Sequence, residues 1–255
     1  MKLLSYGKNP KGSTALCLFE ADFPTFVNDF FMWWTELGRH YDCYSINGLS
    51  WLSFFEVYDN LRPRYLITPT RSQWILFFDN SVIGGVHYSI FRNMAVRLKT
   101  RSVGILIDDL EKARSDNRPF GLQFMYADAR YNQIADRSLA LVYDNNKWSF
   151  EQYGSPLPFE KAEDYLRKKK ADRLTITLIK EYLSCLGIDS EGEDFIIPEN
   201  SLGIKEYIHA SDKTQVEADI QKTICLLNKA LADSNQSGGS WIVNDGQTGV
   251  TRIHY

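Results

Sequence analysis

The sequence predicts an α+β fold with a mainly antiparallel or mixed sheet of about five to seven strands and flanking helices. Short apolar runs of β-favouring residues cluster between residues 64 and 153, and the short connections between them favour antiparallel pairing. Segments with helical periodicity lie on either side of this cluster. The chain has 255 residues, of which 44% are apolar and 24% charged, so a single α+β domain over residues 1–255 is expected.

Three helices are predicted in the first hundred residues. The first begins after Asp22, which suits the N-cap, with Pro24 in the first turn. Its apolar side chains recur near the helical period until Gly38 ends the helix, and they are Phe26, Phe30, Trp33, Trp34 and Leu37. A shorter helix is predicted over residues 51–58 and another over residues 88–98.

Short apolar runs predict the strands of a sheet-rich core, residues 64–153. Residues 65–68 and 74–78 flank a turn-like Pro-Thr-Arg-Ser sequence, so we predict that they pair as a hairpin. Two further runs, residues 103–107 and 120–126, are also rich in β-favouring side chains and are predicted to be strands.

A second hairpin is predicted where residues 138–143 and 147–153 flank a short polar connection. The connection is Asp144-Asn145-Asn146, and these residue types tolerate the positive φ that tight hairpin turns require. The two runs are therefore expected to lie side by side in the sheet.

Residues 156–233 are predicted to form a helical C-terminal part. One helix covers residues 174–186 and ends at a glycine, and a second covers residues 211–233. Residues 189–206 between them are acidic and are expected to be irregular. Residues 237–255 begin with a flexible Ser-Gly-Gly-Ser joint and are expected to be either a tail or an extra hairpin.

Charge and hydropathy argue against several classes of partner. The 29 Lys and Arg residues against 32 Asp and Glu residues give a net charge of -3, which does not favour nucleic acid. Apolar runs of five residues, such as 30–34, are far below the roughly 20 of a membrane helix. Lys8 and Lys11 follow a very short apolar start, so no export signal is expected and the predicted location is cytoplasmic.

Motifs for metal, cofactor or catalytic chemistry are not recognised in the sequence. The four cysteines are 26, 142 and 40 residues apart, which suits free thiols rather than a metal site or a disulfide framework. Residues 7–14 imitate a phosphate-binding loop, but Ser13 stands where the required lysine should be. The pair Asp108-Asp109 is expected to end a strand and cap a helix. The chain is therefore predicted to be non-enzymatic, with no cofactor and no metal.

The acidic stretch is the predicted partner-binding surface. Residues 189–206 carry six acidic side chains and only Lys205 as a base, a local charge of -5. Carboxylates steer a basic partner and an apolar group supplies a desolvated anchor. The candidate binding residues are Asp189, Glu191, Glu193, Asp194, Phe195 and Glu199. The alternative is a solvated connector with an apolar strand tucked under it.

Residues 63–188 contain stretches that resemble a group of bacterial proteins. The stretches are residues 63–70 (PRYLITPT) and 147–154 (KWSFEQYG), followed by Phe159 and Tyr165. They are similar to cytosolic immunity proteins encoded beside secreted polymorphic toxins. The resemblance implies that the chain binds a cognate toxin domain and neutralises it through surface complementarity.

Two other functions stay open. The first is a small intracellular hydrolase or transferase whose site is assembled from dispersed residues such as Asp79, His87 and Asp108. The second is a structural subunit of a phage-derived or secretion assembly. An enzyme would bring titratable side chains together in a pocket, whereas a structural subunit would assemble with copies of itself or with a multimeric partner.

Overall fold

The fold is built on one antiparallel sheet of nine strands, with the order β2-β9-β3-β4-β1-β5-β6-β7-β8. The computed structural model describes residues 3–5, 13–46, 64–79, 88–117, 119–131, 134–207, 240–244 and 250–254. The sheet strands are β1 (Ser13–Glu20), β2 (His40–Ile46), β3 (Arg64–Pro69), β4 (Trp74–Asp79), β5 (Arg101–Asp108), β6 (Phe120–Asp128), β7 (Ala135–Asp144), β8 (Lys147–Tyr153) and β9 (Ser201–Tyr207). The α-helices among these residues are α1 (Phe23–Glu36), α2 (Tyr88–Leu98), α3 (Leu110–Ser115) and α4 (Ile176–Cys185).

The α+β class agrees with the sequence prediction, but the strand count of five to seven is wrong because the sheet has nine strands. Three strands, β1, β2 and β9, lie outside the predicted core of residues 64–153. The polar alternation typical of a half-exposed strand is missing from β1 because residues 14–19 are all buried. The charges of β9 concealed that strand, since Glu206 is buried beside other polar groups rather than exposed.

Apolar side chains are buried on both faces of the sheet, because alternate residues of a strand point in opposite directions. Phe19 and Phe77 lie on the face that packs against α1 and α2, which we call the α1 face. Leu18 and Leu76 lie on the opposite face, which packs against α4 and is called the α4 face. The central strands therefore lie between two apolar layers.

Helix α1 begins and ends where the sequence predicts. The side chain of Asp22 accepts a hydrogen bond from the backbone N–H of Thr25 at 3.0 Å, and Pro24 lies in the first turn. Gly38 follows the helix with a φ of 64°, in the left-handed region that glycine adopts without strain. The buried ring of Phe30 lies 5.6 Å from that of Phe77, so the helix is held on the sheet by aromatic packing.

We expect the Asp22→Ala variant to lower the free energy of unfolding by about 1 kcal/mol, because the N-cap hydrogen bond is lost. The matched variant Asp22→Asn keeps a side-chain acceptor and should stay close to the wild type. Urea unfolding followed by tryptophan fluorescence measures both values. Equal losses in the two variants would contradict a role for the cap.

Both predicted hairpins are confirmed. Strands β3 and β4 pair in antiparallel fashion, with Ile67 opposite Phe77. Strands β7 and β8 pair across a turn in which Asn145 and Asn146 have φ values of 48° and 60°. Two successive positive φ values match the twist of the adjoining strands, so local chemistry determines this turn.

The C-terminal part differs from its prediction. Residues 156–207 contain short 3₁₀ segments, helix α4 and strand β9, so residues 156–233 are not helical throughout. The irregular stretch predicted at residues 189–206 is also wrong for its last part, since β9 pairs with both β2 and β3. Near the C-terminal end, β10 (Ser240–Asn244) pairs with β11 (Val250–His254) in antiparallel fashion, which is the hairpin alternative of the two expected there. The helices predicted at 51–58 and 211–233 lie outside the described residues.

Candidate functional site

The predicted acidic surface lies between α4 and β9, and we call residues 189–199 the acidic segment. Its backbone is held by the turn between β3 and β4. The carbonyl of Phe195 accepts a hydrogen bond from the Arg71 N–H at 2.8 Å, and the Asp194 carbonyl accepts one from Arg71 Nε at 2.8 Å. The Ile197 N–H donates to the Pro69 carbonyl at 3.0 Å. The segment therefore follows the end of the sheet closely.

The structure exposes every carboxylate predicted for this surface, namely Asp189, Glu191, Glu193, Asp194 and Glu199. Two of them also have local roles. The side chain of Asp189 accepts hydrogen bonds from the N–H groups of Glu191 and Gly192, at 3.1 and 2.8 Å. Glu191 forms an ion pair with Lys180 of α4. Their replacement would therefore alter the segment itself as well as its charge.

Phe195 does not occupy the predicted position of an exposed anchor. Its side chain is only 5% exposed and lies in the apolar core of the α4 face, as does that of Ile196. Ile196 also forms an isolated bridge with Thr70. The prediction that Phe195 contacts a partner is therefore corrected. The alternative of an apolar stretch beneath a solvated connector describes both residues.

A buried ion pair that sequence reasoning missed joins Arg137 of β7 to Glu160. Their side chains are 1% and 0% exposed. The guanidinium donates from Nε to Glu160 Oε1 at 2.9 Å and from Nη2 to Glu160 Oε2 at 2.7 Å. Such a two-point contact is the strongest geometry available to this pair. Because both groups are desolvated, each depends on the other for compensation of its charge.

Neighbouring groups complete the hydrogen bonding of this pair. The Arg137 guanidinium also donates to the carbonyls of Tyr153 and Gly154 and to the side chain of Gln152. Burial opposes the charged form of Arg137, but its hydrogen bonds to Glu160 raise the pKa overall. All five N–H donors of an arginine can thus be satisfied here.

Two tyrosines extend the network toward α4. Tyr165 donates a hydrogen bond to Glu160 at 2.7 Å, and its hydroxyl lies 2.7 Å from that of Tyr182. Burial and the hydrogen bond with Tyr182 raise the pKa of Tyr165, and burial also raises the pKa of Tyr182. The network therefore joins β7, the loop that follows β8, and α4 through polar contacts.

Strand periodicity contained a signal for half of this network. Arg137 shares its face of β7 with Leu139 and Leu141, both of which are buried, so the alternation places Arg137 inward. No comparable signal identifies Glu160, which lies outside the strands and helices. Its approach to Arg137 depends on how the chain returns across the sheet after β8.

A second buried carboxylate, Glu206 of β9, lies on the α1 face. Its side chain is 4% exposed, accepts a hydrogen bond from the Tyr65 hydroxyl at 2.6 Å and pairs with Arg39 at 2.5 Å. Burial raises the pKa of Tyr65, and the charge of Glu206 raises it further. This contact joins β9 to β3 and to the residues that follow α1.

The residues of the alternative enzyme site are only partly brought together by the fold. Asp79 is the last residue of β4 and Asp108 is the last residue of β5. These two strands flank β1, and both end beside the first residues of β1. The side chain of Asp108 accepts a hydrogen bond from the Gly121 N–H at 2.7 Å, and Asp109 caps α3 as predicted. His87 lies outside the described residues.

The thiols among the described residues are free, as predicted. Cys17 and Cys43 are buried and Cys185 is exposed. Burial raises the pKa of both buried thiols, and nearby aspartates add to the shift. These two groups are therefore held in the neutral form, in which a thiol is a poor nucleophile.

Across the described ranges, no cluster of three or more His, Cys, Asp or Glu side chains is arranged to hold a metal ion. None of the helices in the part of the chain that the structure describes is long and apolar enough to cross a membrane.

Comparison with other proteins identifies no relative of this chain. No protein-family model, curated protein or solved structure matches this chain.

Proposed function

We propose that the chain is a non-enzymatic immunity protein that binds and neutralises a cognate bacterial toxin in the cytoplasm of the producing cell. The observation that carries the proposal is the exposure of five carboxylates on the acidic segment, whose backbone is bonded to the β3–β4 turn. A surface of this kind suits a partner with a basic patch. The expected toxin surface is therefore positively charged.

The anchoring of the acidic segment favours binding for an entropic reason. A loop that is already held in one conformation loses less freedom when a partner docks, so more of the interaction energy appears as affinity. Phe195 supports this surface from the core side, because its buried ring anchors the backbone that carries the neighbouring carboxylates. In this proposal Phe195 supports the binding surface and does not touch the toxin.

The buried charged groups are assigned to the fold in this proposal. Each oxygen of Glu160 accepts from protein donors, namely Arg137 and Leu157 at Oε1 and Arg137 and Tyr165 at Oε2. The oxygens of Glu206 are likewise occupied by Tyr65 and Arg39. Groups satisfied in this way stabilise packing between elements.

Co-expression with the product of the adjacent gene tests the proposal. Protection of the cells and a one-to-one complex between the two purified proteins are the expected results. If the chain is expressed and folded but neither protects the cells nor forms the complex, the proposed function is contradicted.

A charge-reversal variant locates the interface once a complex is in hand. We expect Glu193→Lys/Asp194→Lys/Glu199→Lys to slow association at least about tenfold at low salt and to remove most of its salt dependence. Asp189 and Glu191 are kept because they hold the segment. Stopped-flow mixing measures the rates.

The matched control for this variant changes an exposed acid elsewhere. Glu151→Lys lies on β8, away from the acidic segment, and should leave the association rate near that of the wild type. An unchanged rate in the triple variant would place the toxin contact on another surface, while protection would still support the immunity function.

A further inference from the structure

The outer layer of the α4 face has three parts that succeed one another across the sheet. We call residues 161–173 the basic segment. It packs over β8, where the rings of Tyr165 and Phe150 are 5.5 Å apart. Helix α4 lies between the other two parts: the rings of Tyr182 and Phe124 of β6 are 5.5 Å apart, and Trp74 of β4 donates through Nε1 to the Leu186 carbonyl just after the helix. The acidic segment lies at the β3–β4 turn.

The two outer parts of this layer carry opposite charge. The basic segment has six basic and three acidic residues, a net charge of +3. The acidic segment has five acidic residues and no base, a net charge of -5. Helix α4 therefore separates a positive surface from a negative one on the same side of the molecule.

Several of these charges are available for an external partner. Lys168 and Lys170 are exposed, and so are Asp194 and Glu199. Within the described part of the chain, none of these four side chains forms an ion pair. The remaining charges of the layer include Lys169, whose ion pair with Asp172 leaves its side chain 76% exposed.

Exposed apolar side chains adjoin the positive surface. Leu166, within the basic segment, is 81% exposed, and Ile176, the first residue of α4, is 41% exposed. Two exposed apolar side chains do not make a contact patch by themselves, but they add apolar contact area beside charges that set the orientation of a partner. The layer thus combines matched charges with apolar contact area.

From this arrangement we infer that two copies of the chain pair through the α4 face, about a two-fold axis that runs along the face near α4. A rotation about such an axis places the basic segment of one copy opposite the acidic segment of the other. The same contact forms twice, as an isologous dimer requires. Leu166 and Ile176, which adjoin the positive surface, are covered in the dimer.

The dimensions of the face are adequate for this contact. Strands β4 and β8 are five strand spacings apart in the sheet, which is about 24 Å. A stable interface typically covers about 800 Å² on each partner, a patch of comparable width. Both charged contacts can therefore form at once on one face.

This inference is independent of the proposed function, because the dimer is measured on the isolated 255-residue chain. If the chain both dimerises and binds a toxin, the dimer adds a form of regulation. The acidic segment would contact either the second copy or the toxin, so dimer formation and toxin binding would compete.

Sedimentation velocity on three variants tests the dimer. The base-reversed variant is Lys168→Glu/Lys170→Glu, which takes the basic segment from +3 to -1, and the acid-reversed variant is Glu193→Lys/Asp194→Lys/Glu199→Lys, which takes the acidic segment from -5 to +1. Each places like charges in both contacts, so the dimer dissociation constant should rise at least about 100-fold. The variant with all five changes has exchanged the signs of its two segments and should dimerise again.

An equimolar mixture of the two reversed variants gives the sharpest result. One copy is then acidic at both segments and the other is basic at both, so we expect a heterodimer although each variant alone is monomeric. The Lys147→Glu control lies on the face of β8 opposite Phe150 and should dimerise as the wild type does. Wild-type dimerisation should weaken in about 500 mM salt, where the Debye length is only about 4 Å.

Three outcomes would overturn the inference. They are a monomeric wild type at low salt, a dimer that the reversals leave unchanged, and a mixture of reversed variants that stays monomeric. Binding of a DNA duplex or of anionic vesicles to the basic segment, without self-association, would assign that surface to a different partner.

Discussion

Replacing Arg137 by methionine is expected to lower the free energy of unfolding by about 3 to 5 kcal/mol. The substitution leaves the Glu160 carboxylate fully buried without its counter-charge. It also removes the donors that satisfy the carbonyls of Tyr153 and Gly154. Urea unfolding at neutral pH, with an unchanged slope against denaturant, measures the loss.

A double variant separates charge compensation from packing. Glu160→Gln alone should cost about as much as Arg137→Met, because it leaves the buried guanidinium uncompensated. Arg137→Met/Glu160→Gln should be no less stable than Arg137→Met, so the two losses are far from additive. Additive losses would contradict a coupled buried pair.

A surface ion pair near this network is the matched control. Arg167 pairs with Asp164 at 2.7 Å, but its side chain is 51% exposed. Arg167→Met should therefore change the free energy of unfolding by less than about 1 kcal/mol. A loss as large as that of Arg137→Met would show that burial does not determine the effect.

The second large effect is a loss of stability at alkaline pH. Burial raises the pKa of Tyr126 to about 12, with a contribution from Asp128, and burial also raises the pKa of Tyr65, Tyr165 and Tyr182. An unfolded tyrosine ionises near pH 10. Above that pH the unfolded chain loses tyrosine protons that the folded chain retains.

The sign and size of this effect follow from proton binding. The folded state binds more protons than the unfolded state above about pH 10, so the free energy of unfolding falls as pH rises. Each tyrosine contributes a slope of up to about 1.4 kcal/mol per pH unit, and the four together up to about 5 to 6. The stabilisation is complete below pH 10 and is lost as each folded tyrosine ionises.

Urea unfolding at pH 9, 10 and 11 measures the slope. The variant Tyr65→Phe should reduce it, because one buried hydroxyl no longer ionises in the unfolded chain. Tyr131→Phe and Tyr153→Phe are matched controls, since these side chains are 72% and 70% exposed, and their slope should equal that of the wild type. A free energy that stays flat from pH 9 to 11 would contradict the prediction.

Elements defined by neighbouring residues could be predicted from the sequence. The N-cap at Asp22, the stop at Gly38 and the turn at Asn145 and Asn146 each depend on groups only a few residues apart. Backbone conformation and capping hydrogen bonds at such positions vary little with the rest of the fold. The predicted helix and hairpin therefore agree with the structure in detail.

The candidate site could be predicted only in part. The exposed carboxylates of the acidic segment were recognisable from composition, because five acids without a base cannot all be buried. The burial of Phe195 could not be recognised from composition, since an aromatic residue among charges suits an exposed anchor as well as a core position. Its contact with the β3–β4 turn decides between them.

The sequence by itself determined the class of fold, the local turns and caps, and the place of the acidic charge along the chain. Only the tertiary structure decided that β9 lies between β2 and β3, and that Glu160 and Glu206 are buried against Arg137 and Tyr65. Residues 206 and 65 are 141 positions apart. A charge paired across such a distance looks like a surface charge in the sequence, because its partner is supplied by the path of the chain and not by its neighbours.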